Sequence, residues 1–119
     1  MGELLYSSTR GVETGCTASE AVLKGLAKDG GLFMPERIPR FDFALPELKD
    51  ASYQEVAYRV MRLLLTDYSE EELRACIEGA YDEKFDTPEI APLTFADDAY
   101  YLELFHGKTI AFKDMALSI

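Results

Sequence analysis

The chain has 119 residues, of which 48% are hydrophobic and 29% are charged, and its formal net charge is −10. This length and composition are typical of a globular domain with a core of ordinary size. The acidic charge argues against nonspecific binding to nucleic acid or anionic membranes, because both depend on clustered lysine and arginine. It remains compatible with a local cationic pocket for a phosphorylated substrate.

The start of the sequence predicts a short strand, a polar loop and a helix. The strand covers residues 4–7 and the loop covers residues 8–15. Thr17 and Glu20 have the spacing of a capping box, which predicts a helix start, and Gly30-Gly31 supplies a left-handed stop. The apolar side chains expected to face the core from this helix are Val22, Leu23, Leu26 and Ala27.

Residues 32–35 are predicted to be extended, and a proline-rich connector follows them. Pro35, Pro39 and Pro46 interrupt regular structure along this connector. We expect its apolar side chains to pack on the core as anchors. These side chains are Ile38, Phe41, Phe43 and Leu45.

Two amphipathic helices are predicted next, and each begins at a serine cap. Ser52 precedes Glu55 and Ser69 precedes Glu72 at the spacing typical of helix N-termini. Their short connection predicts an antiparallel pair. The expected core faces are Val56, Ala57, Val60, Met61 and Leu64 in the first helix, and Leu73, Cys76, Ile77, Ala80 and Tyr81 in the second.

The helical region is predicted to end at Asp86-Thr87-Pro88 and Pro92, and a β-hairpin follows. Its strands, 93–95 and 100–104, are joined by the turn 96–99. We place a domain boundary near residue 92, so that residues 1–92 form a mostly helical domain and residues 93–119 open a second one. The whole pattern predicts an α+β fold with short strands.

Three segments carry distinctive motifs, which are STRG at residues 8–11, GLAKDGGLFMPERIP at residues 25–39 and LELFHGKTIAFKD at residues 102–114. The last is similar to the cofactor-lysine segment of threonine synthases, which usually reads LFHGPTxAFKD. The first two are similar to the STRG and GLAxDGGLxxPxxIP stretches of the same family. All three keep the family's order and spacing, so the resemblance is specific.

The resemblance implies a pyridoxal 5′-phosphate enzyme in which Lys113 binds the cofactor covalently. Lys113 would lie at a loop-to-helix junction with Asp114 in the first turn, where a carboxylate suits the helix dipole. Lysine is mostly protonated at neutral pH, so its attack on an aldehyde requires a buried or electropositive site. The apolar neighbours Ala111 and Phe112 suit that requirement. Phe112 and Thr109 are the further cofactor-binding residues that we expect.

The implied reaction converts O-phospho-L-homoserine and water to L-threonine and phosphate. Cationic and hydroxyl side chains suit a phosphate group, and the candidate substrate-binding residues are Lys108, Arg10, Thr9 and Ser8. Lys108 departs from the family pattern, in which proline is usual, so the loop loses a restraint on φ and gains a charge. The implied catalytic core is an α/β fold of the tryptophan-synthase β type, fold type II. Its cofactor-phosphate loop and its partner for the pyridine nitrogen are expected downstream.

Structural interpretations of the same residues stay open at this point. Lys113 has the pattern of a surface lysine beside an aspartate, and Gly107 and Thr109 equally suit a simple turn. His106 is interpreted as a packed, hydrogen-bonded residue that positions the loop. Residues 8–10 also fit a capped turn with an arginine ion pair. Residues 29–31 are interpreted as a helix stop, because they lack the GxGxxG spacing of a nucleotide loop.

Cys16 and Cys76 have neither metal-ligand nor redox spacing, and no secretory signal precedes them. We therefore expect reduced thiols, a cytoplasmic location and no metal site. No apolar run approaches the length of a membrane span. The expected partner is a small-molecule substrate rather than nucleic acid or a membrane.

The apolar run 115–119 lacks the glycine, proline or cationic last turn that normally ends a helix. We expect the sequence to be an N-terminal fragment of a longer enzyme, inactive when isolated. Two alternatives remain. One is a related phospho-lyase that acts on another phosphorylated amino acid or amino alcohol. The other is a noncatalytic assembly module that self-associates through the exposed apolar run.

Overall fold

The computed structural model describes residues 2–119. They form a small domain of mixed helices and strands, which confirms the α+β class for this chain. Two antiparallel strand pairs are present. In chain order the elements are β1 (Tyr6–Ser8), α1 (Ala18–Lys24), β2 (Phe33–Pro35), a 3-10 helix (Leu45–Leu48), α2 (Tyr53–Leu64), α3 (Glu70–Ala80), β3 (Leu93–Ala96), β4 (Ala99–Leu102) and α4 (Asp114–Leu117).

β1 begins at Tyr6 rather than at residue 4, because the preceding backbone bonds elsewhere. The Leu4 amide donates to Thr66 Oγ1 at 2.9 Å, and the Leu4 side chain is fully buried. In the β1–β2 register, Ser8 lies opposite Phe33. The pairing therefore brings the loop after β1 beside the loop before β2.

α1 starts where the capping box predicts, but it ends earlier than expected. Thr17 Oγ1 accepts from the Glu20 amide at 3.3 Å, and Glu20 Oε2 accepts from the Thr17 amide at 3.1 Å. Gly25 has a φ of 69° and ends the helix, so the predicted stop at Gly30-Gly31 is wrong. The buried residues of this short helix are Ala18 and Ala21. Of the predicted core residues Ala27 is buried, whereas Val22, Leu23 and Leu26 are exposed.

The apolar side chains of the connector do not anchor on the core as predicted. Ile38, Phe41 and Leu45 are all more than half exposed. Phe43 packs against Phe41, with ring centroids 5.0 Å apart, and lies under the Arg59 guanidinium. The connector has little regular structure, and Phe41 and Phe43 contact each other there rather than a core face.

The core forms around α3, and both serine caps are confirmed. Ser52 Oγ and Ser69 Oγ each accept a backbone N–H at 3.2 Å. Cys76 is exposed, contrary to the prediction, because it lies at the edge of the α3 face on which Leu73, Ile77 and Ala80 are buried. In α2 the buried residue is Leu63 rather than a member of the predicted face, whose residues are half-buried. The buried cluster is Leu73, Ile77, Ala80, Tyr81, Phe85 and Ile90, with Ala57, Met61 and Met115 among the residues packed against it.

The predicted hairpin is confirmed, with a tighter turn. Asp97 and Asp98, with φ of 49° and 59°, connect β3 to β4, and positive φ at both positions is typical of a type I′ turn. β4 ends at Leu102, before the predicted bound. Large apolar side chains of both strands are exposed. Within residues 2–119, no helix is long and apolar enough to cross a membrane.

Candidate functional site

Lys113 lies at the junction between a loop and α4, as predicted. It is the N-cap residue of that helix, with φ −56° and ψ −30°, and Asp114 is the first helical residue. The amides of residues 116 and 117 both donate to the Lys113 carbonyl, at 3.0 and 2.9 Å. The backbone of the lysine is therefore part of an ordered turn.

The Asp114 carboxylate closes the loop that precedes the lysine. It accepts from the Thr109 amide at 2.8 Å and from the Thr109 hydroxyl at 2.7 Å. Gly107 is buried against the same side chain, and a Cβ at that position would lie 2.5 Å from Asp114 Cβ. Gly107 thus leaves space for Asp114. The Thr109 hydroxyl, expected to contact the cofactor, already donates its proton within the loop.

Tyr81 fixes α4 to the core. Its hydroxyl donates to the Met115 carbonyl at 2.7 Å, and the Met115 side chain packs against the buried cluster around α3. Burial raises the pKa of the Tyr81 phenol to about 12, so the hydroxyl remains a donor at neutral pH. The turn that carries Lys113 is therefore held to the core through Met115, two positions further along the chain.

The Lys113 side chain itself is exposed, and so is Lys108. Phe112 is 69% exposed and Ala111 is half-buried, so within this chain these two neighbours do not bury the lysine. None of the ion pairs among residues 2–119 includes either lysine. The amine of Lys113 is thus accessible and free of a carboxylate partner within the described chain.

His106 is hydrogen-bonded on both ring nitrogens, in agreement with its interpretation as a loop-positioning residue. Nδ1 lies 2.5 Å from Asp86 Oδ1, and Nε2 lies 2.6 Å from Glu103 Oε2. The hydrogen bonds that the ring N–H groups donate to Glu103, first, and to Asp86 raise the pKa of the imidazole. The Asp86 amide also donates to the His106 carbonyl at 3.0 Å. Two carboxylates thus hold the start of residues 106–114, which we call the lysine loop.

The first motif, at residues 8–10, contacts the second motif rather than the lysine loop. Ser8 Oγ donates to Asp29 Oδ1 at 2.6 Å and accepts from the Arg10 amide at 3.1 Å. Thr9 Oγ1 accepts from the Leu32 amide at 3.1 Å. Arg10 Nη1 donates to the Asp29 backbone carbonyl at 2.9 Å, a hydrogen bond in place of the ion pair that a capped turn suggested. We call this arrangement the Asp29 clasp.

The interpretation of residues 29–31 as a helix stop is wrong, because α1 already ends at Gly25. Asp29 is instead the centre of this clasp. Its carboxylate also accepts from the amides of Gly31 at 2.9 Å and Val12 at 3.1 Å. The Ser8 hydrogen bond and then the Gly31 amide lower the pKa of Asp29. A Cβ on Gly31 would lie 2.1 Å from Ser8 Oγ. The Asp-Gly-Gly sequence contained the signal, because an aspartate often bonds the backbone two residues on in a turn.

The structure therefore builds two separate arrangements from the predicted site residues. Residues 107–114 form one and residues 8–10 with 29–32 form the other, and within residues 2–119 no hydrogen bond or ion pair joins them. In the same described range, no group of three or more histidine, cysteine or acidic side chains could hold a metal ion.

Known proteins are similar to this chain over most of its length. A family model described as the threonine synthase N terminus matches residues 5–81. The chain belongs to the threonine synthase family. It is 44% identical over 119 residues to the threonine synthase of Schizosaccharomyces pombe, and the alignment covers 97% of this chain and 23% of that protein.

Solved threonine synthase structures share this fold. A PLP-bound threonine synthase from Brucella melitensis superposes with a TM-score of 0.83 at 35% identity, covering 95% of this chain and 25% of that one. The threonine synthase from yeast gives a TM-score of 0.82 at 38% identity, covering 95% and 24%. The chain thus spans about a quarter of the length of these threonine synthases.

Proposed function

We propose that this chain contributes the cofactor lysine, Lys113, to a pyridoxal 5′-phosphate-dependent threonine synthase. The proposed reaction converts O-phospho-L-homoserine and water to L-threonine and phosphate. Membership of the family supports this, and the relative from Brucella melitensis is PLP-bound at 35% identity. The observation that carries the proposal is the Lys113 amine, exposed at the start of an ordered helix and without a carboxylate partner in residues 2–119.

The chemistry of the lysine loop fits the cofactor. An amine that is to condense with an aldehyde must be reachable and must be able to lose its proton, and an ion pair would oppose both. Lys113 meets the first condition, and its neighbour Asp114 is occupied by Thr109 rather than by the amine. Phe112 offers an exposed aromatic surface beside the lysine, and we assign it to contact with the cofactor ring.

Bound pyridoxal phosphate supplies an electron sink for carbanions formed next to the substrate amine. The Lys113 amine accepts and returns protons at the substrate carbons. Thr109 acts through Asp114, because its hydroxyl proton is already donated there. The exposed ammonium of Lys108 and the remaining N–H groups of Arg10 are assigned to the substrate phosphate. Ser8 is assigned to holding Arg10, and Thr9 to holding the same loop against Leu32.

The proposed domain division follows from the same assignment. Residues 1–92 belong to the N-terminal domain, and residues 93–119 open a cofactor-binding α/β core of fold type II. The family match to residues 5–81 supports the first part. The exposed apolar residues Phe112 and Leu117, 69% and 75% exposed, favour contact with further protein surface, including a second copy of the chain. We place the enzyme in the cytoplasm.

The test uses protein expressed from the complete open reading frame. The bound cofactor is fixed with sodium borohydride, and tryptic peptides are then examined by mass spectrometry. We expect the pyridoxyl group on Lys113, its absence in Lys113→Ala, and its retention in the matched variant Lys108→Ala. A pyridoxyl group on another lysine would overturn the assignment of Lys113.

The substrate is tested separately by phosphate release. O-phospho-L-homoserine should release phosphate and give threonine, and O-phospho-L-serine and O-phosphoethanolamine serve as comparison substrates. A protein that releases phosphate from either comparison substrate, and makes no threonine from O-phospho-L-homoserine, would be a phospho-lyase of the same family. The cofactor assignment of Lys113 would stand in that case.

A further inference from the structure

A surface cavity of about 620 Å³ lies between the connector after β2 and the end of α2. Arg37 and Arg40 of the connector line one part of it, and Arg62 lines it from the last turn of α2. Thr66 and Tyr68 of the following loop complete the polar lining. We propose that this cavity binds a phosphorylated small molecule at a site separate from the lysine loop.

The charge of the cavity is opposite to that of the chain. The formal net charge of the protein is −10, yet three guanidinium groups meet at this cavity and none of its lining residues, all within the described range, carries a carboxylate. Arginine is the side chain best suited to phosphate, because its planar group offers several N–H donors at a fixed spacing. The cavity therefore attracts an anion, whereas the acidic surface around it repels one.

The hydrogen bonds already made inside the cavity leave donors free. Arg37 Nη2 donates only to the Gly2 carbonyl, at 3.3 Å, and within residues 2–119 the Arg40 side chain has no hydrogen-bond partner. Thr66 Oγ1 accepts from the Leu4 amide at 2.9 Å, which leaves its hydroxyl proton to donate. The Tyr68 hydroxyl has no partner in the same range. These donors match a ligand whose oxygens only accept.

Arg62 plays a different part from the other two arginines. Both oxygens of Asp42 lie 2.6 Å from its Nη2, and this interaction with Arg62 lowers the pKa of Asp42. The ion pair holds the Arg62 side chain in place and partly neutralises it. Arg37 and Arg40 are therefore the groups that a bound phosphate would neutralise.

The rest of the cavity suits the organic part of such a ligand. Ile38, which is 79% exposed, lies between the two free arginines in the sequence, and Leu63 is buried at the same cavity. The Tyr68 ring adds an aromatic surface. Volumes of roughly 300–1,000 Å³ are usual for small-molecule sites, so the space accommodates more than an inorganic anion. The ligand class is a phosphate monoester with an apolar or aromatic group.

The test measures binding of adenosine 5′-monophosphate to the 119-residue chain by isothermal titration calorimetry, with adenosine and inorganic phosphate as comparison ligands. Arg37→Gln/Arg40→Gln removes the two free guanidinium groups. Lys28→Gln/Lys49→Gln removes the same charge from exposed lysines outside the cavity. Thermal unfolding of each variant checks that it is folded.

We expect the monophosphate to bind more tightly than either comparison ligand. The arginine variant should weaken binding by about tenfold or more for each guanidinium lost, and the lysine variant should change it by no more than about twofold. Equal weakening in both variants would mean that binding depends on overall charge alone, and it would overturn the proposed site. Absence of binding to the folded wild-type chain would overturn it as well. Neither result bears on Lys113.

Discussion

The Asp29 clasp and the lysine loop contain the same kinds of residues, but they differ in the contacts of the neighbouring cation. In each, an aspartate accepts a hydroxyl and a backbone N–H, and a glycine beside it has no room for a Cβ. In the clasp the neighbouring cation, Arg10, bonds to a backbone carbonyl. In the lysine loop the amine of the neighbouring cation, Lys113, has no hydrogen-bond or ion-pair partner within residues 2–119.

The two arrangements also differ in burial and in how far apart their partners lie along the chain. The clasp includes the buried Ser8, which is 6% exposed, and joins two segments distant in sequence. The lysine loop is exposed and local, and it depends on Tyr81 and Met115 for its connection to the core. The first arrangement should therefore contribute to stability, and the second should mainly orient one side chain.

The largest effect on stability should come from Gly31→Ala. The new Cβ would lie 2.1 Å from Ser8 Oγ and 3.1 Å from the Arg10 backbone nitrogen, so the clasp must open. We expect a loss of about 1–3 kcal/mol in the free energy of unfolding, measured with urea. Gly79→Ala is the control, because its Cβ meets nothing within 4 Å and alanine favours a helix. A loss in the control as large as in Gly31→Ala would contradict the argument.

Ser8→Ala should have the next largest effect. It removes a donor to Asp29 and an acceptor for the Arg10 amide from a buried position, so we expect a loss of about 1–2 kcal/mol by urea unfolding. Ser7→Ala is the matched control, since Ser7 Oγ bonds the exposed Glu36 at 3.0 Å. Similar losses for both serines would mean that the clasp adds no stability.

Tyr81→Phe tests the connection of α4 to the core. The phenylalanine keeps the ring but leaves the Met115 carbonyl without its donor, which should lower the free energy of unfolding by about 1 kcal/mol. Hydrogen exchange at the amides of residues 116–118 should also become faster. Tyr100→Phe, at a site 72% exposed, should alter neither measurement. Unchanged exchange in Tyr81→Phe would show that α4 is held by other contacts.

Thr109→Val should affect the lysine more than the stability. Valine keeps the shape and the backbone N–H bond to Asp114 but removes the hydroxyl bond. At this exposed site we expect a loss of about 0.5 kcal/mol or less. The rate at which acetic anhydride modifies Lys113, followed by mass spectrometry relative to Lys49, should change. An unchanged ratio would show that Thr109 does not position the lysine.

The smallest effect should be the pH dependence that His106 contributes. Its pKa is raised in the folded protein, so its stabilisation is fully present below about pH 6.5 and is lost as the pH rises through the raised value. The difference in unfolding free energy between the wild type and His106→Gln should therefore shrink from mildly acidic to alkaline pH. A difference that stays constant would exclude a protonated His106 from the loop.

Local features of the sequence were predicted well, because they depend on few residues. The caps at Thr17, Ser52 and Ser69 and the Asp97-Asp98 turn all lie where the sequence places them. Burial was predicted less well, because it depends on what packs against each face. Val22 and Leu23 have a helical spacing but no covering surface, since the short α1 turns its alanines inwards.

The candidate site shows the same division. The position of Lys113 at a helix start follows from the motif, but its exposure could not be read from its apolar neighbours. The clasp was missed because its partners are separated by 21 positions. Asp29 carried a turn signal, yet no single-sequence pattern indicates that its oxygen bonds Ser8.

The Asp29 clasp also has a consequence for the order of folding. The chain between Ser8 and Asp29 contains α1, whose hydrogen bonds are local and do not require a formed core. Tyr81 and Met115 are 34 positions apart and close onto a core that must already exist. We expect the amides of Val12 and Gly31 to gain protection during refolding before those of α4, so that the lysine-bearing turn is among the last parts to become ordered.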